Sequence, residues 1–113
     1  MTAGTGRVGR AAPVFAALGD PTRLELIARL STTGPQPIVR LTERAGVSRQ
    51  AITKHLQALE GAGLVKSTRD GRMRMWEIRR ERLSDARRFL DAISDQWDSA
   101  LERLRMAVER IDE

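Results

Sequence analysis

No cysteine occurs in the 113 residues, which excludes disulfides, thiolate metal sites and thiol redox switches together. Tyrosine is absent too, and His55 is the only histidine. With no Cys, no Tyr, one His and no Gly-rich phosphate loop, no nucleophile-and-base pair can be assembled, so no enzyme is expected. The carboxylates Asp91 and Asp95 fall on the solvent side of a helix. There is no run of about 18 apolar residues, so no membrane-spanning helix is expected. Met1 to Gly9 lack the apolar centre of a secretion signal and read as a loose Gly/Thr tail. These absences fit one cytoplasmic domain with no cofactor and no metal.

What is present is basic charge, placed unevenly. Residues 1–82 carry 15 Lys/Arg against 7 Asp/Glu, whereas residues 83–113 carry 5 against 8. A basic front and an acidic rear suggest that the front meets a polyanion and the rear does something else. The competing reading of the excess is a general preference for arginine, since 18 of the 20 basic residues are Arg.

Along the chain, Ala11 to Leu18 reads as a short helix with Val14, Phe15 and Leu18 on its apolar side. Gly19-Asp20-Pro21-Thr22 is a boundary: Asp20 can cap the next helix, and Pro21 suits the first helical position, where no N–H is needed. Leu24, Ile27, Ala28 and Leu30 then recur at helical spacing as far as Ser31, and Thr32-Thr33-Gly34-Pro35 breaks the pattern. A short helix is expected from Pro37 to Ala45, with Ile38, Leu41 and Ala45 inward. Ser48 caps a further helix from Arg49 to Gly61. On a wheel of about 100° per residue, Ile52, Leu56 and Leu59 share one face, while Gln50, Thr53, Lys54 and Gln57 share the other.

Leu64 to Ile78 changes to a hairpin pattern, with Asp70-Gly71 as the turn signal between arms Leu64–Arg69 and Arg72–Ile78. A two-residue loop there sets Val65 opposite Trp76 and Ser67 opposite Arg74. From Leu83 to Ile111, with Ser84 as the expected cap, apolar residues step by three and four without a fault through Leu90, Ile93, Trp97 and Leu104. Such a helix is about 40 Å long, more than a small body can cover. The predicted class is therefore mainly α with one β-hairpin.

This order of elements resembles the winged helix-turn-helix. The stretch Phe15-Ala16-Ala17-Leu18-Gly19-Asp20-Pro21-Thr22-Arg23-Leu24 is similar to the opening signature of ArsR/SmtB repressors. Val47 to Val65 resembles their recognition helix and wing entry, and Arg69-Asp70-Gly71-Arg72 their wing. The resemblance covers about residues 11–80 and divides the chain into a tail (1–9), a DNA-binding domain (10–82) and a C-terminal dimerisation helix (83–113). It implies a homodimeric repressor on a pseudo-palindromic operator, dimerising through first and last helices; Val14, Phe15, Leu90, Ile93, Trp97, Leu101 and Leu104 are the candidate interface residues. Metal sensors of the family carry a cysteine pair near the positions of Pro37 and Val39, or Asp and His ligands on the last helix. Neither set can form here, so the resemblance points to the metal-independent members.

The expected partner is double-stranded DNA. Gln50 can read adenine, Lys54 guanine, and Thr53 a thymine methyl or a phosphate; Ser48, Arg49 and Gln57 flank them. Arg69, Arg72 and Arg74 around the hairpin tip suit phosphates or the minor groove. The alternative to each is a solvated polar face, or edge charges that discourage aggregation. A winged-helix interaction module that no longer binds DNA is the competing function. His55, on the inner flank of its helix, reads as structural, Arg23 and Glu25 as helix-surface charges, and Phe89 and Trp97 as part of an apolar stripe. The sequence names no effector.

Overall fold

Two polar caps fix where the central helices begin. In the computed structural model, which describes residues 3–112, Asp20 has extended backbone and its carboxylate accepts the N–H groups of Thr22 and Arg23 at 2.9 and 3.1 Å. Ser48 does the same for the next long helix, its Oγ accepting the Ala51 N–H at 3.1 Å. These satisfy backbone donors that have no partner inside a helix. The elements are α1 (Ala3–Leu18), α2 (Pro21–Thr33), β1 (Gln36–Pro37), α3 (Ile38–Thr42), α4 (Arg49–Gly61), β2 (Val65–Asp70), β3 (Met73–Ile78) and α5 (Arg80–Asp112).

The core lies where α2, α3, α4 and the base of the hairpin meet. Leu26, Leu30, Leu41, Ile52, Leu56 and Leu59 are buried there, with Leu64, Val65 and Trp76 closing it from the hairpin side. Val14 and Ala17 of α1 and Ala86 of α5 seal the opposite flank. Phe15 meets Phe89 edge-on, with ring centroids 5.9 Å apart and planes at 64°, and so joins α1 to α5.

Several sequence expectations need correction. α1 begins at Ala3 rather than near Ala11, so residues 3–9 are helical where a tail was expected. Gly4, Gly6 and Gly9 each cost about 1 kcal/mol of helix propensity relative to Ala, and Pro13 lacks an N–H, so local sequence argued against the helix. α1 packs along α5 as a whole, with Ala11, Val14 and Ala17 buried, while Arg7 to Arg10 at its front stay exposed. In α2 the inward residues are Leu26 and Leu30, while Leu24 is 52% exposed. α3 is shorter than expected at both ends: Glu43 is extended and Arg44 left-handed after Thr42, and Gln36–Pro37 is drawn into a third strand that pairs antiparallel with β3, giving the order β1-β3-β2. Proline is acceptable there because β1 is an edge.

The hairpin register also differs. Val65 pairs with Ile78, Ser67 with Trp76 and Asp70 with Met73, so the loop is Gly71-Arg72 and not Asp70-Gly71. Gly71 has a φ of 65° and Arg72 has no positive φ, the pattern of a two-residue loop with glycine first. Partners move by two residues, which leaves every side chain on its expected face.

α5 starts at Arg80, four residues ahead of the expected cap; Ser84 lies inside the helix and its Oγ donates to the Arg80 carbonyl at 3.2 Å. Beyond Phe89 the helix leaves the body, and the chain spans 72 Å along its longest axis against 34 and 20 Å across. Leu90, Ile93, Trp97, Leu101 and Leu104 are all exposed within the chain. Val14, expected beside them at an interface, is instead fully buried in the chain's own core, and Phe15 is half-buried against Phe89.

Candidate nucleic-acid interface

α4 presents two chemically distinct sides because its apolar residues recur at helical spacing. Ile52, Leu56 and Leu59 anchor it completely, so rotation of the helix would expose all three. Arg49, Gln50, Lys54 and Gln57 consequently point to solvent, as does Ser48 at the helix start. Thr53 is half-buried and its hydroxyl donates to the Arg49 carbonyl at 2.9 Å. Its proton is thus committed to its own helix, leaving the methyl group and a lone pair for any partner.

Two arginines hold α4 and its neighbours in place. Arg23 Nε donates to His55 Nδ1 at 3.1 Å, and another Arg23 nitrogen donates to the Ala17 carbonyl at 3.2 Å. Arg23 therefore joins the end of α1 and the start of α2 to α4, and is not the surface charge the sequence suggested. His55 thus serves Arg23 as an acceptor at Nδ1. Structural service for His55 is what its position on the inner flank indicated. Asp20 Oδ1 lies 3.9 Å from His55 Nδ1. The backbone N–H of Arg23 above all, with that of Thr22, holds the Asp20 carboxyl below its ordinary value. The stabilisation this gives is complete above the ordinary carboxylate range and is lost as pH falls through the lowered value.

Arg29 is the second clamp, and nothing in the sequence pattern singled it out. One guanidinium nitrogen donates to the carbonyls of Leu41 and Glu43 at 2.9 and 3.2 Å, and the other to that of Arg40 at 2.7 Å. These are the carbonyls that the end of α3 leaves unpaired. The turn into α4 then carries Arg44 and Gly46 at φ values of 64° and 69°. Left-handed backbone at a non-glycine residue costs roughly 1–2 kcal/mol, and the Arg29 bonds hold the segment that contains it.

The wing continues the same surface electrostatically. Arg69 pairs directly across the strands with Arg74, and Arg72 occupies the loop beside them. Like charges placed opposite one another destabilise a sheet pair. Among the described residues none of these three arginines forms an ion pair, nor do Arg49 or Lys54 of α4. On α5 ion pairs do form: Arg82 and Arg88 pair with Asp85, Arg87 with Asp91, and Arg105 with Glu102 and Glu109. Among the described residues the cations of α4 and the wing are thus unpaired, whereas Arg82, Arg87, Arg88 and Arg105 of α5 have carboxylate partners and Arg80, Arg103 and Arg110 do not. Among the described residues no three His, Asp or Glu side chains come together as a metal site, and no helix is long and apolar enough to cross a membrane.

Residues 18–68 match the model of a helix-turn-helix domain family. An uncharacterised helix-turn-helix transcriptional regulator of Bacillus subtilis, YuzN, is 40% identical over 78 residues, which is 64% of this chain and 85% of the relative. Among solved structures, an ArsR-like transcriptional regulator from a Rhodococcus species superimposes with a TM-score of 0.75 at 39% identity, covering 89% of this chain and 94% of its own. A homodimeric winged helix-turn-helix DNA-binding domain from Mycobacterium bovis, a possible ArsR-family regulator, shares the fold at 24% identity and a TM-score of 0.64, covering 85% and 88% of the two chains.

Proposed function

Because the chain belongs to the ArsR family of winged helix-turn-helix transcriptional regulators, we propose that it represses transcription as a homodimer seated on a pseudo-palindromic operator. The observation that carries this reading is the set of unpaired cations on α4 and the wing, facing solvent beside Gln50 and Gln57. Two copies of α4 enter successive major grooves about 34–36 Å apart. Gln50 and Lys54 read base edges there, with the Thr53 methyl beside them. Arg49 and the wing arginines bind phosphates and supply most of the affinity. The exposed stripe of α5 joins the two chains, in keeping with the homodimeric relative from Mycobacterium bovis. Occupied operator excludes the polymerase sterically, in the cytoplasm where the DNA lies. Selection of bound fragments from sheared genomic DNA, followed by gel shift on the enriched sequence, tests the reading; no enrichment over bulk DNA would defeat it.

Two predictions belong here. The double substitution Arg72→Ala and Arg74→Ala should weaken binding to all sequences alike and flatten the slope of log affinity against log salt by about 0.9 for each arginine. An unchanged slope in a salt titration would mean that the wing does not touch DNA. The second concerns effectors. With no cysteine and a single histidine already bonded to Arg23, a soft-metal site has no ligand set. Micromolar zinc, cadmium or arsenite should therefore leave the gel shift unaltered, whereas stoichiometric release of DNA by any of them would contradict the proposed metal independence.

A further inference from the structure

A cleft of about 470 Å³ opens in the body, with no residue of α4 in its lining. It lies between the C-terminal half of α2, the Gly34-Pro35 connection, the inner end of β3 and the first two turns of α5. Its volume falls within the range of about 300–1,000 Å³ usual for small-molecule sites. The floor is apolar: Leu30 is buried, and Ile27, Ile78 and Leu83 are partly buried side chains packed on the core.

The rim decides the ligand's charge. Arg80 and Arg87 both border the cleft, from successive turns at the start of α5. Arg80 makes no ion pair among the described residues, and Arg87 has only a contact at 3.9 Å with the exposed Asp91. Glu77 is the one carboxylate on the rim, and Lys66 Nζ stands 3.3 Å from it, so its charge is already answered. The Ser84 hydroxyl proton is committed to the Arg80 carbonyl. The charged donors left over are guanidinium groups, which bind carboxylates with directed, charge-assisted hydrogen bonds, and the Ser31 hydroxyl is a neutral one beside them.

We propose that this cleft is a binding site for a small amphipathic carboxylate, with its apolar body against Ile27, Leu30, Ile78 and Leu83 and its anionic end held by Arg80 and Arg87. The site is built within one chain and goes beyond the DNA-binding reading; its test requires no DNA, so failure of either leaves the other standing. An occupant touches β3 at Glu77 and Ile78, and the same strand carries Arg74 at the wing's outer end.

The experiment titrates the full, isotope-labelled chain with octanoate at neutral pH and follows amide shifts. Saturable shifts centred on residues 27–35 and 77–87 are expected. Octan-1-ol, which has the same apolar body without the charge, should bind about tenfold more weakly or worse, and so should octanoate to the Arg80→Ala, Arg87→Ala variant, since charge-assisted hydrogen bonding to guanidinium is lost in each case. Filling the floor with Ile27→Trp should abolish the shifts; if that variant unfolds, the comparison of octanoate with octan-1-ol on the unaltered chain still decides. Equal binding of acid and alcohol, full retention of affinity in the arginine variant, or shifts confined to the exposed stripe from Leu90 to Ile111 would each overturn the proposal.

Discussion

A chain carrying Trp97→Asp should sediment as a monomer and lose about a hundredfold or more in operator affinity. Trp97 is 64% exposed within its own chain, so the substitution removes almost nothing from the core of the protomer. Its neighbours at helical spacing, Ile93, Leu101 and Leu104, are exposed as well, and together they form an apolar strip too continuous for a free surface. If a second copy covers that strip, a carboxylate at its centre loses water without gaining a partner, which costs several kcal/mol. Separated half-site binders then forfeit the effective concentration that linkage provides, a factor of roughly 10²–10⁴. Trp97→Phe keeps the apolar surface and should keep both dimer and affinity. Sedimentation velocity alongside gel shifts measures both quantities. A Trp97→Asp protein that remains dimeric and binds its operator unchanged would place the interface elsewhere.

The parts of this fold legible in the sequence are those set by local chemistry. The caps at Asp20 and Ser48 were readable because each short polar side chain follows a Gly-containing break and precedes a helical apolar pattern, whereas Ser84, with no such break before it, lies inside α5. The two sides of α4 were readable because Ile52, Leu56 and Leu59 recur at the helical period. What the sequence concealed depends on contacts between distant residues. β1 is two residues long and exists only because β3 offers it an edge, so no alternation marks it. The Arg23–His55 bond spans 32 positions and the Arg29 bonds span 11 to 14, and a single arginine on a helix carries no sign of its partner. Glycine near the N-terminus suggests a tail, yet the helix anchored by Ala11, Val14 and Ala17 runs back to Ala3. The hairpin loop moved by one position because both Asp70-Gly71 and Gly71-Arg72 satisfy a glycine-dependent turn, and only cross-strand pairing chooses between them. Val14 illustrates the same limit at the interface: periodicity places it on an inner side of α1 without saying whether that side meets this chain or another.

Lys54 and Leu56 are two positions apart on one helix, and their alanine variants should fail in opposite ways. Leu56 is 0% exposed and sits among Ile52, Leu59 and the residues that α2 and the hairpin contribute to the core. Truncating it leaves a cavity and should cost about 2–5 kcal/mol, a large part of the roughly 5–15 kcal/mol that keeps a domain folded. Thermal unfolding should fall by about 10 °C or more, while the fraction still folded should bind operator with its selectivity intact. Lys54 is exposed and has no ion-pair partner among the described residues, so Lys54→Ala should change stability by no more than about 0.5 kcal/mol. Its loss should appear at the DNA instead, as a drop of about 1–3 kcal/mol that is concentrated at one base-pair position if the side chain reads guanine, and spread over all sequences if it binds phosphate. Calorimetric melting and binding to a panel of single-base operator variants separate the two effects. A destabilised Lys54→Ala or a fully stable Leu56→Ala would mean that α4 is rotated from the orientation described, and with it the whole assignment of Arg49, Gln50 and Gln57 to DNA.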